Sequence, residues 1–588
     1  MLGKRQAQAS IFTADAQYLD KVGRDTFYGF LATHAHRIFR DEDFSQLYCR
    51  NNGRRSVPPS LLAVALLLQH YDRVSDEEAV NRATFDLRWA VALGTEPCEQ
   101  PFAKSTLQLF RAKLVLNERG QELFERSLSY AREIGFLKNR KIRAALDATP
   151  ILGRGAVKDT YNLLADGIRK LARTLEQVSV RDLGRWLKKR AQRYFSKSLK
   201  GEADIDWDDD EARKTLLDTL VSDARSLLQL AREHQQQLSD DDPQRQQLED
   251  AMRLLSELVA QDVEEDEHGQ ATLKQGVSKD RIISVHDPEM RHGRKSKRQR
   301  FDGHKATIAV DTETQLITAT DVIAGNASDG DNAIALCEQS AENTGCEVET
   351  AIGDTSYGTG ELRRAFAEAG ITVVAKAPPI ADRGTFTKED FSIDVEGERV
   401  TCPAGHTTTQ WHRGAVTTRR DGTKQHAKVF KFDAALCTPC PFYEQCVSSS
   451  KGRGRTIMVH AEEALLQQAR AFQKTEAFKE QYRERIVVEH RIARLMQLGV
   501  RKARYFGRKK TAFQVAVVAA VANLTLIAAW QSQNPGDSWF VLLCVFAFMA
   551  MLVTGVRIRM YEAAAYLPGY RLAYETVLVK KAPFRPDF

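Results

Sequence analysis

Residues 141–152 read Lys141-Ile142-Arg143-Ala144-Ala145-Leu146-Asp147-Ala148-Thr149-Pro150-Ile151-Leu152. A short apolar run gives out on an acid, the pattern of a buried strand that delivers Asp147 at its end. Upstream the chain is helical. After Pro58-Pro59, apolar residues recur at three- and four-residue spacing through Leu61, Leu62, Val64, Ala65, Leu67 and Leu68. A second helix starts near Ser75, with Asp76, Glu77 and Glu78 in its first turn, and others cover 105–115 and 119–134. Downstream, 155–260 return to helix, with apolar periodicity over 216–230 and acidic patches at 204–211 and 262–267 that read as solvated faces. Strands resume from Ile282. Asp302-Gly303-His304-Lys305 opens a strand over 306–310, and 316–323 follows turn residues 311–314, a hairpin signal. Then come a helix at 332–342, a strand at 348–352 ending in Gly353-Asp354-Thr355-Ser356-Tyr357-Gly358, a helix at 360–369 and a strand at 371–375. Strands alternating with helices predict an α/β core. A polar, β-rich insert over 380–455 precedes a long helix from about 461 to 496.

The 588 residues suit three or four domains, or one domain with large insertions. Hydrophobic residues at 43% and charged residues at 28% exclude a disordered, collagen-like or mucin-like chain. Lysine and arginine number 85 against 78 acids, a net +7 too mild to imply a nucleic-acid partner, so local charge must decide that. The first 21 residues lack the continuous apolar stretch of a secretory signal, and nine scattered cysteines do not make a disulfide framework. A reducing, cytoplasmic location is expected.

Three acids stand at positions that matter. Asp147 and Asp354 each lie where an apolar strand gives out, and Glu489 lies on an amphipathic helix running from Tyr482 to Met496. Carboxylates converging from strand ends and a facing helix can hold hard divalent cations, and two such ions can drive in-line displacement at a phosphodiester. Spacing alone leaves the alternative open that three acids among 78 fall at element ends by chance. The N-terminal helices are equally open: a helix-turn-helix that reads DNA, or a packing and dimerisation domain.

Tyr482, Arg485 and Glu489 follow the spacing Tyr-x-x-Arg-x-x-x-Glu. This resembles the signature around the catalytic glutamate of DDE transposases of bacterial insertion sequences. Leu146-Asp147-Ala148-Thr149-Pro150 and Gly353-Asp354-Thr355-Ser356-Tyr357-Gly358 resemble the first and second aspartate contexts of that family, and 58–111 resembles its helical N-terminal domain. The resemblance implies an RNase H-like fold, a mixed sheet flanked by helices. It implies Asp147, Asp354 and Glu489 as catalytic ligands of Mg²⁺ or Mn²⁺, with Tyr482 and Arg485 positioning the scissile phosphate or ordering Glu489. Glu484 is the rival third ligand. Met496 stands seven positions after Glu489, where the family places a lysine; Lys502 or another neighbour would then supply that DNA contact.

Cys402, Cys437, Cys440 and Cys446 fall within about 45 residues of an otherwise cysteine-poor chain. Cys402-Pro403-Ala404-Gly405-His406 and Cys437-Thr438-Pro439-Cys440-Pro441 resemble zinc knuckles, and four thiolates suit a structural, tetrahedral Zn²⁺. Cys49, Cys98, Cys337, Cys346 and Cys544 read as ordinary thiols. Two basic stretches suit phosphate neutralisation: 291–305, with Lys295, Arg298 and Lys305, and 501–510, with Arg501, Lys502 and Arg504 beside Tyr505 and Phe506. Residues 511–536 carry no charge and are expected to form a core helix beside the Glu489 helix. The nearly all-apolar run 538–556 reads as a buried or oligomer-contact helix, with a membrane span as the alternative.

The expected organisation is a helical DNA-binding or dimerisation domain over 1–140, an RNase H-like catalytic domain from 141–154 and 276–380, and a helical insertion over 155–275. A cysteine-rich β insert over 381–460, the catalytic-glutamate and core helices over 461–530, and a hydrophobic tail over 531–588 complete it. The resemblance implies a transposase that cleaves transposon ends and joins the freed 3′ strand to target DNA, as a homodimer or larger synaptic assembly. A catalytically silent DNA-binding protein and a metal-dependent nuclease of the same fold are the alternatives.

Overall fold

The computed structural model describes residues 1–534 except 6–10, 51, 179, 181, 189, 196–198, 200–202, 204, 297, 381–385, 419–421 and 448–451. Both the 538–556 run and Cys544 lie outside the described residues. The chain divides into two compact units, Met1–Thr525 and Leu526–Phe588. In the second, the described residues 526–534 are helical up to Gln533.

The first unit is a mixed α/β structure around a six-stranded sheet. Its strands are β1 (Ile142–Leu152), β2 (Arg291–Arg294), β3 (Arg300–Asp311), β4 (Ile317–Ala324), β5 (Val348–Ile352) and β6 (Thr372–Val374). Across the sheet the order is β4-β3-β1-β5-β6, with β2 paired to the start of β3. The β3/β4 and β1/β3 pairs are antiparallel, whereas β1/β5 and β5/β6 are parallel. Where β1 and β3 meet, Gly303 has φ +153°, and a Cβ there would stand 2.1 Å from the Ile151 carbonyl oxygen, so only glycine fits.

Alternation along β1 sorts its side chains. Ile142, Ala144 and Leu146 enter an apolar core with Leu336 and Cys337 of helix Ala333–Thr344 and Phe366 of helix Gly360–Glu368. Arg143 and Asp147 therefore point to the opposite face, where helices Glu476–Arg483 and Ile486–Gln497 lie.

Three expectations change, the first being that strands of the sheet resume at Arg291 and not at Ile282. Strand β1 does not stop at Asp147 but continues five residues to Leu152, paired throughout with β3. Beyond Ala145 it has no β5 partner, so Pro150 sits in edge-like surroundings that tolerate its missing N–H. The long helix expected over 461–496 is three: Glu463–Gln473, Glu476–Arg483 and Ile486–Gln497. Thr475 starts the second by accepting from the Phe478 N–H, and Arg485 stands at the N-cap of the third.

The segment between β1 and β2 folds on its own apolar core, built by helices Thr160–Gln177, Asp210–Gln235 and Pro243–Asp262. The cysteine-bearing segment has a separate small core of Phe391, Val400, Phe430, Phe432, Ile457 and Val459.

Helix Arg508–Gln533 is long and apolar enough to cross a membrane by length and composition. Residues 513–524 of it are nonetheless almost completely buried within the first unit. Arg491 of helix Ile486–Gln497 donates to the Ala522 carbonyl (2.8 Å). Asn523 closes a two-way bond with the backbone of β4, accepting from the Ile317 N–H (2.9 Å) and donating to its carbonyl (2.8 Å). A leucine at 523 would leave both Ile317 groups buried and unpaired, so Asn523→Leu is expected to cost about 2 kcal/mol. A urea-denaturation midpoint lowered in the variant checks this; an unchanged midpoint refutes it.

Candidate active site

The parallel pairing of β1 with β5 sets Ala145 opposite Ile352. Asp147 and Asp354 each lie two residues further on, so the register leaves the two carboxylates abreast at the mouth of the sheet. Gly353 makes the turn after β5 possible: a Cβ there would meet the Tyr357 ring at 2.5 Å. Asp354 then caps the turn Thr355–Gly358, accepting from the Ser356 N–H at 2.8 Å.

The third acid comes from across the face. Glu489, in the first turn of helix Ile486–Gln497, is half exposed and ion-paired with Arg485. The other arm of the Arg485 guanidinium reaches Asp147 at 3.4 Å, so one cation links the two carboxylates. Glu484, the rival third acid, forms a two-bond ion pair with Arg143 (2.9 Å each) and does not line the cleft.

Asp147, Asp354 and Glu489 line one cleft of about 360 Å³, with Thr149, Arg294, Lys295, Lys305 and Asp329. Asp329 escaped the sequence reading. It lies in Gly325-Asn326-Ala327-Ser328-Asp329-Gly330, a stretch whose composition signals only a turn. Its carboxylate accepts from Lys305 Nζ at 2.7 Å, and the same ammonium donates to the Ala327 carbonyl at 2.7 Å. Lys305 is thus a buried, paired cation in the cleft wall.

The other basic residues divide. Lys295 is exposed on the cleft rim and Arg298 is exposed in the β2–β3 turn, outside the lining. Arg501 and Lys502 are exposed beside the free edge of β1: Leu152 donates to the Arg501 carbonyl (2.9 Å), and Ala503 donates to that of Leu152 (2.8 Å). Arg504 turns away and donates to the Val74 carbonyl of the N-terminal helices at 2.7 Å. Tyr482 lies outside the lining, stacked on Phe478, with Lys376 Nζ 5.2 Å and the Arg485 guanidinium carbon 5.9 Å from its ring centroid.

Cys402, Cys437, Cys440 and Cys446 surround a small pocket in the cysteine-bearing segment, with His406 at its wall. Burial pushes the Cys446 thiol up, Arg455 opposes this, and the other three sulfurs add to it. Among the described residues no group of three or more His, Cys, Asp or Glu side chains is arranged, as folded, to hold a metal ion. Cys337 and Cys346 are buried, Cys49 and Cys98 exposed.

A family model described as Transposase DDE domain matches residues 401–528, spanning the four cysteines and Glu489. A second, described as Transposase domain (DUF772), matches 17–113. Together the two matches indicate an insertion-sequence DDE transposase. No curated protein and no solved structure matches it. Asp147 and Asp354 fall between the two matched regions, so the sheet register alone places them together at the cleft.

Burial pushes the Asp147 carboxyl from 3.8 up to about 6; Arg485 and the Ala148 N–H oppose this, while Asp354 and Asp329 add to it. A carboxyl whose pKa is raised on folding favours the folded state while protonated. That contribution is complete below 3.8 and is lost as pH rises through 6. Asp147→Asn removes the penalty paid at neutral pH, worth up to about 3 kcal/mol. In EDTA the variant is expected to melt above wild type at pH 8, the gap closing towards pH 4; a pH-independent gap refutes this.

Proposed function

We propose that the transposase cleaves the ends of its element and transfers the freed 3′ strand to target DNA, using Asp147, Asp354 and Glu489 on an RNase H-like fold. The observation that carries this reading is the β1/β5 register, which sets two aspartates abreast with Glu489 on the wall of the same cleft. The strand order, with antiparallel β4-β3-β1 joined to parallel β1-β5-β6, supports the fold assignment.

The donor set is all carboxylate oxygen, which fits a hard divalent cation such as Mg²⁺ or Mn²⁺. Such ions, when bound, would activate the attacking oxygen and stabilise the leaving one. Arg485 meanwhile holds Glu489 and Asp147 in mutual register with one positive charge. Lys295 and Arg294 on the rim would hold the scissile phosphate, and Tyr482 supports Arg485 from outside. In the first step water adds to the phosphorus, the P–O3′ bond breaks, and the element's 3′ hydroxyl is freed. That hydroxyl then attacks a target phosphodiester, forming one P–O3′ bond as the target's own breaks. Arg501, Lys502 and Arg298 are exposed for contacts along the DNA, whereas Lys305 and Arg504 act through the structure they hold. Two ends must be brought together, so the working form is a homodimer or larger synaptic assembly, in the cytoplasm.

Purified protein, incubated with DNA flanking its gene and Mg²⁺, is expected to nick at defined ends and join them to a target plasmid. EDTA and Asp354→Asn should each lower the rate at least about a hundredfold. Nicking without joining would make the protein a nuclease, and binding without cleavage under Mg²⁺ or Mn²⁺ would make it a DNA-binding protein.

The four thiols fit a structural Zn²⁺ in donor chemistry. One equivalent of zinc is expected to copurify with the protein and to be lost in Cys437→Ser/Cys440→Ser, read by metal analysis. Full retention of zinc in that variant would remove the assignment.

A further inference from the structure

The cleft holds one acid more than the three that the proposed chemistry uses. Asp329 lines it together with Asp147, Asp354 and Glu489. One of its carboxylate oxygens accepts from Lys305 at 2.7 Å, and the other has no hydrogen-bond partner among the described residues. Lys305 also donates from β3 to the Ala327 carbonyl, so the loop bearing Asp329 is closed onto the sheet and its carboxylate is fixed.

That loop abuts the turn Thr355–Gly358. A Cβ on Gly330, the residue after Asp329, would meet the Ser356 carbonyl oxygen at 3.1 Å. Within the turn Tyr357 folds back on Asp354: its N–H donates to the Asp354 carbonyl (3.2 Å), and its ring packs against Gly353. The Tyr357 hydroxyl is buried near Asp147, Asp329 and Asp354 and has no hydrogen-bond partner among the described residues. Buried hydroxyls are nearly always bonded, so an orphan beside four acids calls for a water or ion shell to complete it.

Small hard cations supply such a shell. Mg²⁺ takes one or two carboxylates directly and keeps several of its waters, which donate hydrogen bonds and need acceptors around them. We propose that Asp329 and Tyr357 are positioning residues that hold the water shell of the cation bound by Asp147, Asp354 and Glu489. The proposal rests on the reading of those three acids as ligands and adds the groups that orient what they bind. The unpaired Asp329 oxygen and the Tyr357 hydroxyl oxygen accept from the shell, while Lys305 keeps Asp329 in place and offsets its charge.

The test titrates Mn²⁺ into the metal-free full chain by calorimetry, without DNA. Tyr357→Phe removes one oxygen and no charge; Asp329→Asn keeps an acceptor for Lys305. Each is expected to weaken Mn²⁺ binding about tenfold or more. In EDTA, Tyr357→Phe should melt no lower than wild type, because the lost hydroxyl has no protein partner to lose. Wild-type Mn²⁺ affinity in either variant, or a lowered melting temperature of Tyr357→Phe in EDTA, overturns the proposal and leaves the three-carboxylate reading in place. Asp354→Asn is the control: if it too binds Mn²⁺ as wild type does, both fall.

Discussion

The carboxylate cleft depends on one pairing: Ala145 of β1 opposite Ile352 of β5. Because side chains alternate along a strand, a slip of one residue would send Asp147 into the apolar core occupied by Leu146 and bring Leu146 out to the cleft. The register is therefore enforced by burial. Ile142, Ala144 and Leu146 must pack against helices Ala333–Thr344 and Gly360–Glu368, and their placement puts Asp147 on the other face beside Asp354. The early end of β5 completes the arrangement, since a longer β5 would cover the edge of β1 where the carboxylates meet.

That arrangement gathers like charges, and the surrounding cations answer them individually. Arg485 spans Asp147 and Glu489, and Lys305 neutralises Asp329. Asp354 has hydrogen bonds from Ser356 but no ion pair among the described residues. Burial weighs most on Asp147, whose carboxyl is pushed up to about 6, with Asp354 and Asp329 adding to the effect although Arg485 is close. A site of this kind is less stable than a neutral one of the same shape, the usual condition where oxygen donors are held ready for a cation. The Tyr357 hydroxyl, buried near Asp147, Asp329 and Asp354, has no hydrogen-bond partner among the described residues.

Much of this was legible from sequence, because periodicity reports burial and burial fixes faces. Five of the six strands of the sheet, both aspartates and the four cysteines stand out in the chain, whereas β2 lies hidden in the basic run 291–305. The course of β1 past Asp147 did not, since Pro150 reads as a breaker unless one knows that β5 has already ended. Nor did the breaks that split 461–496 into three helices. The apolar spacing runs through them, and only the tertiary position of Arg485 explains why the last helix starts where it does. Charge runs reveal cations and not their partners. Lys305 and Arg504 look like DNA contacts in the sequence, yet one is spent on Asp329 and the other on the Val74 carbonyl.

The engaged cations have a function of their own in this architecture. Arg504 holds Val74, and the adjacent Tyr505 ring receives the Arg111 guanidinium, 4.9 Å from its centroid, while Arg111 itself is tied to Asp76. Two residues further on, Gly507 donates to the buried Asp287, which also faces His304 of β3. A short segment thus joins the N-terminal helices, the free edge of β1 and the central sheet.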